Sequence, residues 1–253
     1  TSTTDVAIFV DTSSNNFLTG NTGTSTDSYG IYLSSSSNNN LTSNIGTSTE
    51  SSGIYLATSS NNNILTNNTG TSTNGEGIFL DTSSNNNLTG NTAINTAINA
   101  YAIILRTSSN NILINNTGTS TGAPGFYLEI SSNNNVLMNN TFKGHPAVYI
   151  LTNSNSNNIT NNTLIGNTGF EINGSKGSLY FDLEDMNRLK FFDNTNPGDR
   201  QGFRDILVTQ PGGVHPYVGQ WWPPGHILGY EHTFVHTVAD FVNACVRGKS
   251  VQP

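Results

Sequence analysis

The sequence predicts an all-β protein, a right-handed parallel β-helix of about seven coils, followed by a small α+β segment. Three observations carry this. One phrase returns every 22–25 residues between residues 1 and 172. The apolar runs inside it hold only about three residues, too few for a helical stripe. The composition then changes abruptly near residue 172.

The period comes first. One column reads Ile8, Ile31, Ile54, Ile78, Ile103, Phe126 and Val148, and a second reads Leu18, Leu41, Leu65, Leu88, Leu113, Leu137 and Ile159. The two columns drift together, so length changes fall between strands and leave the register intact. A fixed period in this range marks a solenoid, whose coils bury apolar residues only by stacking on one another. A disordered polar tract would not keep two apolar columns in step.

The strands come next. Runs such as Ile31-Tyr32-Leu33 and Ile78-Phe79-Leu80 are β-branched or aromatic and flanked by Asn, Ser and Gly. Side chains alternate across a strand, so Ile31 and Leu33 share one face and Tyr32 takes the other. Three short strands per coil at a spacing of about 4.8 Å give a rod of roughly 30–35 Å for seven coils. The turns are rich in Asn, which tolerates left-handed angles and can bond amide to amide between coils. Gly30, Gly53, Gly77 and Gly125 precede the first strand, where a tight corner is expected.

The two parts differ in charge. Residues 1–172 hold eight acidic and two basic residues, and residues 173–253 hold eight acidic and seven basic. Both tryptophans, four of the five histidines and the single cysteine lie in the second part. A boundary is expected at about Gly166–Ser175, between β-helix repeats over 1–172 and an α+β segment over 173–253 that would serve as a cap. The net charge of −7 argues against nucleic acid as a partner, and no apolar run approaches a membrane span. A chain that begins at Thr1 inside a coil reads as a mature form or a fragment of an extracellular or cell-surface protein.

In the second part, Gly177–Phe181 and Leu189–Phe192 alternate like strands. Thr233–Val246 carries a helical apolar face that Gly248 can end. Cys245 sits in that face and is expected to be a buried thiol, with no disulfide partner.

Several candidate sites follow from the register. Phe9, Tyr32, Tyr55, Phe79, Ile104, Tyr127 and Tyr149 form a column opposite in parity to the core. It would be a stacking strip for sugars or another chain if open, and a second core layer if covered. Asp81, Arg106 and Glu129 occupy one column in successive coils, about 5 Å apart. They would form an ion-pair ladder, or the carboxylate cluster that a polysaccharide lyase or hydrolase needs, although Arg106 would keep both acids ionised.

Thr22, Thr24 and Thr26, repeated as Thr69, Thr71, Thr73 and Thr117, Thr119, Thr121, read as threonine strands. Such arrays resemble those of some ice-binding proteins. Ile45, Ile94 and Ile165 interrupt the columns and suggest that they face the core or alternate in use. Sequons at Asn40, Asn67, Asn87, Asn115, Asn139, Asn158, Asn161 and Asn173 would allow glycosylation. His232 and His236 are four apart on the predicted helix, with Glu231 and His226 near, but Thr233 stands where H-E-x-x-H needs a glutamate.

Residues 1–172 resemble the right-handed parallel β-helix repeats of archaeal and bacterial surface proteins and of periplasmic copper-site maturation proteins. That resemblance implies the fold, and it spans lyases, hydrolases, epimerases, adhesins and structural proteins. The stretches Asn173–Glu184 and Trp221–His236 resemble the C-terminal end of the glucose–fructose oxidoreductase / inositol dehydrogenase family. That resemblance implies a sugar-type dehydrogenase with a nicotinamide cofactor on an N-terminal Rossmann domain. This chain has no strand–GxGxxG–helix unit, so no catalytic residue carries over and no cofactor is expected.

The expected function is therefore a non-catalytic structural, filament-forming or carbohydrate-binding role. Its partners would be further copies of itself or a surface polysaccharide. The alternatives are a polysaccharide-active enzyme, or a truncated sugar oxidoreductase fused to a β-helix.

Overall fold

The computed structural model describes residues 1–151, 153–165, 169–174, 176–210, 217–221 and 226–247. The chain divides into two units, Thr1–Ser178 and Leu179–Pro253.

The first unit is a parallel β-solenoid. Every third strand pairs with the next of its kind, so three parallel sheets run along the coils. In the second coil the three strands are Ile31–Ser34, Asn40–Thr42 and Ile45–Ser48. The pairing register is the register of the sequence columns. Ile31 pairs with Ile54, Ile78 with Ile103, and Leu41 with Leu65. Inward positions are fully buried, among them Ile31, Leu33, Leu41, Leu56, Leu88 and Leu113.

The third sheet carries almost no side-chain bulk inward. Its inward positions are Gly23, Gly46, Gly70, Ala93 and Gly118, because the corner before the first sheet lies directly against it. A Cβ on Gly46 would lie 2.2 Å from the carbonyl oxygen of Gly53. A Cβ on Gly53 would in turn lie 2.4 Å from the backbone nitrogen of Thr71. The corner glycines are thus required by close approach of backbone to backbone, rather than by a left-handed turn. Further along, Phe142 takes the glycine position and stacks on Phe126 with centroids 4.9 Å apart, so the core widens by two rings in concert.

Left-handed backbone is concentrated in the turns, at Asn38, Asn62, Asn85, Asn110 and Asn134 and again at Asn67, Asn115, Asn139 and Asn161. The residue after each left-handed asparagine, or after the residue that stands in for it, turns its amide inward. Two ladders result. One contains Asn39, Asn63, Asn86, Asn111 and Asn135, and the other Asn44, Asn68, Asn91, Asn116 and Asn140, all at most 1% exposed. In the second ladder the Nδ2 of Asn68 donates to the Oδ1 of Asn91 at 3.0 Å and to the carbonyl of Leu41 at 2.8 Å. Burying these amides costs little because nearly every rung is satisfied by its neighbours, Asn111 Nδ2 being the exception among the described residues.

The threonine columns correct the sequence reading. Thr22, Thr24, Thr69, Thr71, Thr117 and Thr119 point outward, since the inward places on these strands belong to glycine and serine. Ile45 and Ile165 are accordingly exposed, each at 44%. The strands end at Ser25, Ser72 and Ser120, so Thr26, Thr73 and Thr121 lie beyond them.

The second unit contains strands Arg188–Asp193 and Phe203–Leu207, which pair antiparallel, and a helix at Tyr230–Arg247. Strand Gly177–Asp182 begins at the boundary. The helix starts three residues before the expected Thr233, and Gly248 lies outside the described residues. Cys245 is exposed, contrary to expectation. The apolar face that should bury it is itself open, with Phe234, Val238, Phe241 and Val242 all exposed.

Candidate functional site

The chemistry-bearing residues of the β-helix gather on the outer face of the first sheet. The central column is a ring ladder. Centroids are 5.0 Å apart for Phe9–Tyr32 and for Tyr32–Tyr55, 4.9 Å for Tyr55–Phe79 and 5.4 Å for Tyr127–Tyr149. In-register parallel pairing sets this spacing, because each ring sits one strand above the last. Phe9 is 53% exposed and Tyr32 and Tyr55 half-buried, while Phe79, Ile104 and Tyr127 form a buried apolar cluster. The column is thus open toward Phe9 and a second core layer in the middle.

On one side of the ladder stands the charged column. Arg106 grips Asp81 with both forks, Nε to Oδ1 at 3.1 Å and Nη2 to Oδ2 at 2.7 Å. Its Nε lies 4.0 Å from Glu129 Oε1, and its guanidinium sits 4.7 Å above the Phe79 ring centroid. The hydrogen bond from Arg106 holds the Asp81 carboxyl below its ordinary range, against the opposing effect of burial. The Tyr55 hydroxyl donates to Asp81 Oδ2 at 3.3 Å. Burial first, then the Asp81 charge, pushes the Tyr55 phenol well above its ordinary value. Burial and Glu129 do the same to Tyr127.

On the other side lies a column the sequence reading did not single out, two residues before the first strand. It holds Tyr29, Ser52, Glu76 and Tyr101. The ring of Tyr29 is 4.9 Å from Tyr32 and 4.7 Å from Tyr55, and the ring of Tyr101 is 4.4 Å from Tyr127. Ser52 donates to Glu76 Oε2 at 2.8 Å. Parity gave no signal for it, since a residue two before an inward isoleucine shares the inward parity, and only the corner at the glycine between them turns this column to the rings.

The sequons fall in two groups. Asn40, Asn87 and Asn158 lie on second-sheet strands, and their Oδ1 atoms accept from Thr42, Thr89 and Thr160. Asn67, Asn115, Asn139 and Asn161 are exposed at left-handed turn positions. The side chain of Asn173 lies outside the described residues.

In the second unit, His232 and His236 are already engaged. His232 Nδ1 accepts the Gly229 N–H at 3.0 Å, and Trp221 donates to His236 Nε2 at 2.7 Å. Among the described residues no group of three or more His, Cys, Asp or Glu could hold a metal ion.

This geometry defines a parallel β-helix protein with an aromatic and charged outer face. The model of one family, the periplasmic copper-binding protein NosD, matches residues 1–148 and 65–195, and the chain belongs to that family. Over 85 residues, 33% of this chain, it is 36% identical to levoglucosan dehydrogenase of Pseudarthrobacter phenanthrenivorans. A solved oxidoreductase domain protein from Kribbella flavida is 61% identical over 33% of this chain, with a TM-score of 0.30. Levoglucosan dehydrogenase solved in complex with NADH and levoglucosan is 32% identical over 42% of this chain, with a TM-score of 0.31. The chain spans 21% of the curated relative and 21% and 26% of these two solved chains.

The family description implies copper, which favours imidazole, thiolate or thioether donors. Residues 1–195 contain one histidine, His145, two methionines, Met138 and Met186, and no cysteine. With no donor cluster among them, the described side chains do not fit a copper site.

Proposed function

We propose that this protein is a non-catalytic β-helix of the cell exterior, periplasmic or surface-bound, that binds carbohydrate along the outer face of its first sheet. The observation that carries the reading is the ring ladder, open from Phe9 to Tyr55, where the Tyr55 hydroxyl meets the Asp81 carboxylate. Aromatic faces pack against the C–H faces of sugar rings while carboxylates and guanidinium bind hydroxyls. The exposed sequons would add glycans of the protein's own if it is exported.

The catalytic alternative is weaker on chemical grounds. A glycosidase needs one protonated carboxylic acid, whose pKa is raised. Asp81 is shifted the other way by Arg106. The oxidoreductase alternative rests on relatives of which this chain spans about a fifth.

A glycan array probed with the purified chain tests the reading. Binding that falls at least tenfold in Tyr32→Ala and Tyr55→Ala supports it. No binding to any glycan, with the fold intact by circular dichroism, overturns it.

A further inference from the structure

The outer face of the first sheet is not uniform along its length. The column of Tyr29, Ser52, Glu76 and Tyr101 has large rings at its two ends and small or flexible residues between them. Tyr29 leans onto the rings of Tyr32 and Tyr55, and Tyr101 onto that of Tyr127. The two tyrosines are three coils apart, about 14 Å at one strand spacing per coil. After ring thickness is subtracted, about 10 Å is left, enough for one or two pyranose rings laid along the rod.

The base of this bay is polar and partly unpaired. Arg106 lies flat over Phe79 with Nε and Nη2 bound to Asp81, and Nη1 has no hydrogen-bond partner among the described residues. Glu76 uses Oε2 to accept from Ser52 and leaves Oε1 without a hydrogen-bond partner among the described residues. Arg106 thus keeps free donors and Glu76 a free acceptor for sugar hydroxyls. Glu76 and Arg106 flank the ring ladder on its two sides, and the Arg106 guanidinium reaches inward over the Phe79 ring.

The charge balance selects the ligand class. Asp81 and Glu129 pair with the one guanidinium, and Glu76 adds a third carboxylate across the ladder. A uronate or sulfated sugar would meet net repulsion. We propose that the bay between Tyr29 and Tyr101 is a subsite for a neutral sugar ring, which stacks between the tyrosines and places hydroxyls on Glu76 and Arg106. This rests on the carbohydrate-binding reading above and narrows it to one place and one chemistry.

Titration calorimetry of the full chain with cellopentaose, xylopentaose, mannopentaose and penta-galacturonate tests it. The expected result is binding of at least one neutral oligosaccharide, weakened tenfold or more by Tyr29→Ala, Tyr101→Ala and Glu76→Gln. Ile64→Ala, exposed on the outer face of the second sheet, should change it less than twofold. Thermal melts of each variant separate lost binding from lost folding, and Glu76→Gln keeps the side-chain shape. Neutral-sugar binding that survives all three substitutions overturns the subsite and leaves the wider reading standing. Tighter binding of penta-galacturonate overturns the choice of a neutral ligand. No binding by the unmodified chain to these sugars or to a glycan array overturns both.

Discussion

The Oδ1 of Asn68 accepts two hydrogen bonds from one residue, Asn44, from its backbone nitrogen at 2.9 Å and from its Nδ2 at 3.0 Å. One buried oxygen thereby fixes both the main chain and the side chain of the coil before it. Removing the whole amide strands the two Asn44 donors and also takes the Nδ2 donor from the Leu41 carbonyl. Asn68→Ala should therefore destabilise the β-helix by about 2–4 kcal/mol, since each buried unsatisfied group costs about 1–3 kcal/mol. Asn67→Gly, next to it at a left-handed position that glycine tolerates, should change stability by less than about 1 kcal/mol. Thermal melts of the two variants compare them directly, and equal losses would count against the ladder as a source of stability.

Gly46→Ala probes the contact between the third sheet and the corner of the first. The added methyl would collide with backbone, the carbonyl of Gly53, so no side chain can turn aside to relieve it. A loss of about 1–3 kcal/mol is expected, as for other overpacked cores. The same change at Gly202, where nothing lies within 4 Å, should be close to neutral. Melting temperatures decide between them.

Asp81 gives the rod an acid-sensitive element. Its folded pKa lies below its ordinary value, so its stabilising contribution is present above the unfolded carboxyl pKa and is lost as pH falls through the folded one. Arg106→Met removes the guanidinium while keeping bulk over Phe79. Carboxyl-detected NMR should then show the Asp81 titration moving up toward the ordinary range. An unchanged titration would mean that Arg106 is not the cause.

Cys245 should react with iodoacetamide in the native protein, without denaturant, because its side chain is exposed on the helix. Mass spectrometry after brief labelling reads the result. Protection until the chain is unfolded would mean that the helix face is covered in solution.

The solenoid was legible because its signals are redundant. The isoleucine and leucine columns each recur in seven coils, and every repeat votes for the same register. The asparagine turns were legible for the same reason, and both ladders stand where the Asn pairs recur. The facing of the threonines was not legible. Ile45 and Ile165 looked like core residues, and only the contact between Gly46 and Gly53 shows that nothing larger fits inside. The bay was missed because Tyr29 and Tyr101 fall outside the strands and recur only twice in their column. The burial of Cys245 was misjudged because an apolar helix face announces a need for cover without supplying it.

The amide ladders also give the molecule an arrow. In the second ladder each amide oxygen accepts from the preceding coil, while the Nδ2 donates both forward to the next asparagine oxygen and back to a leucine carbonyl of the preceding coil. The two sides of a coil are therefore chemically unlike, since at each rung the side facing the preceding coil presents the amide oxygen and one N–H, and the side facing the following coil presents only N–H donors. Coils can be removed, duplicated or grafted from a related rod only in one orientation, much as a staircase accepts a new step only the right way up.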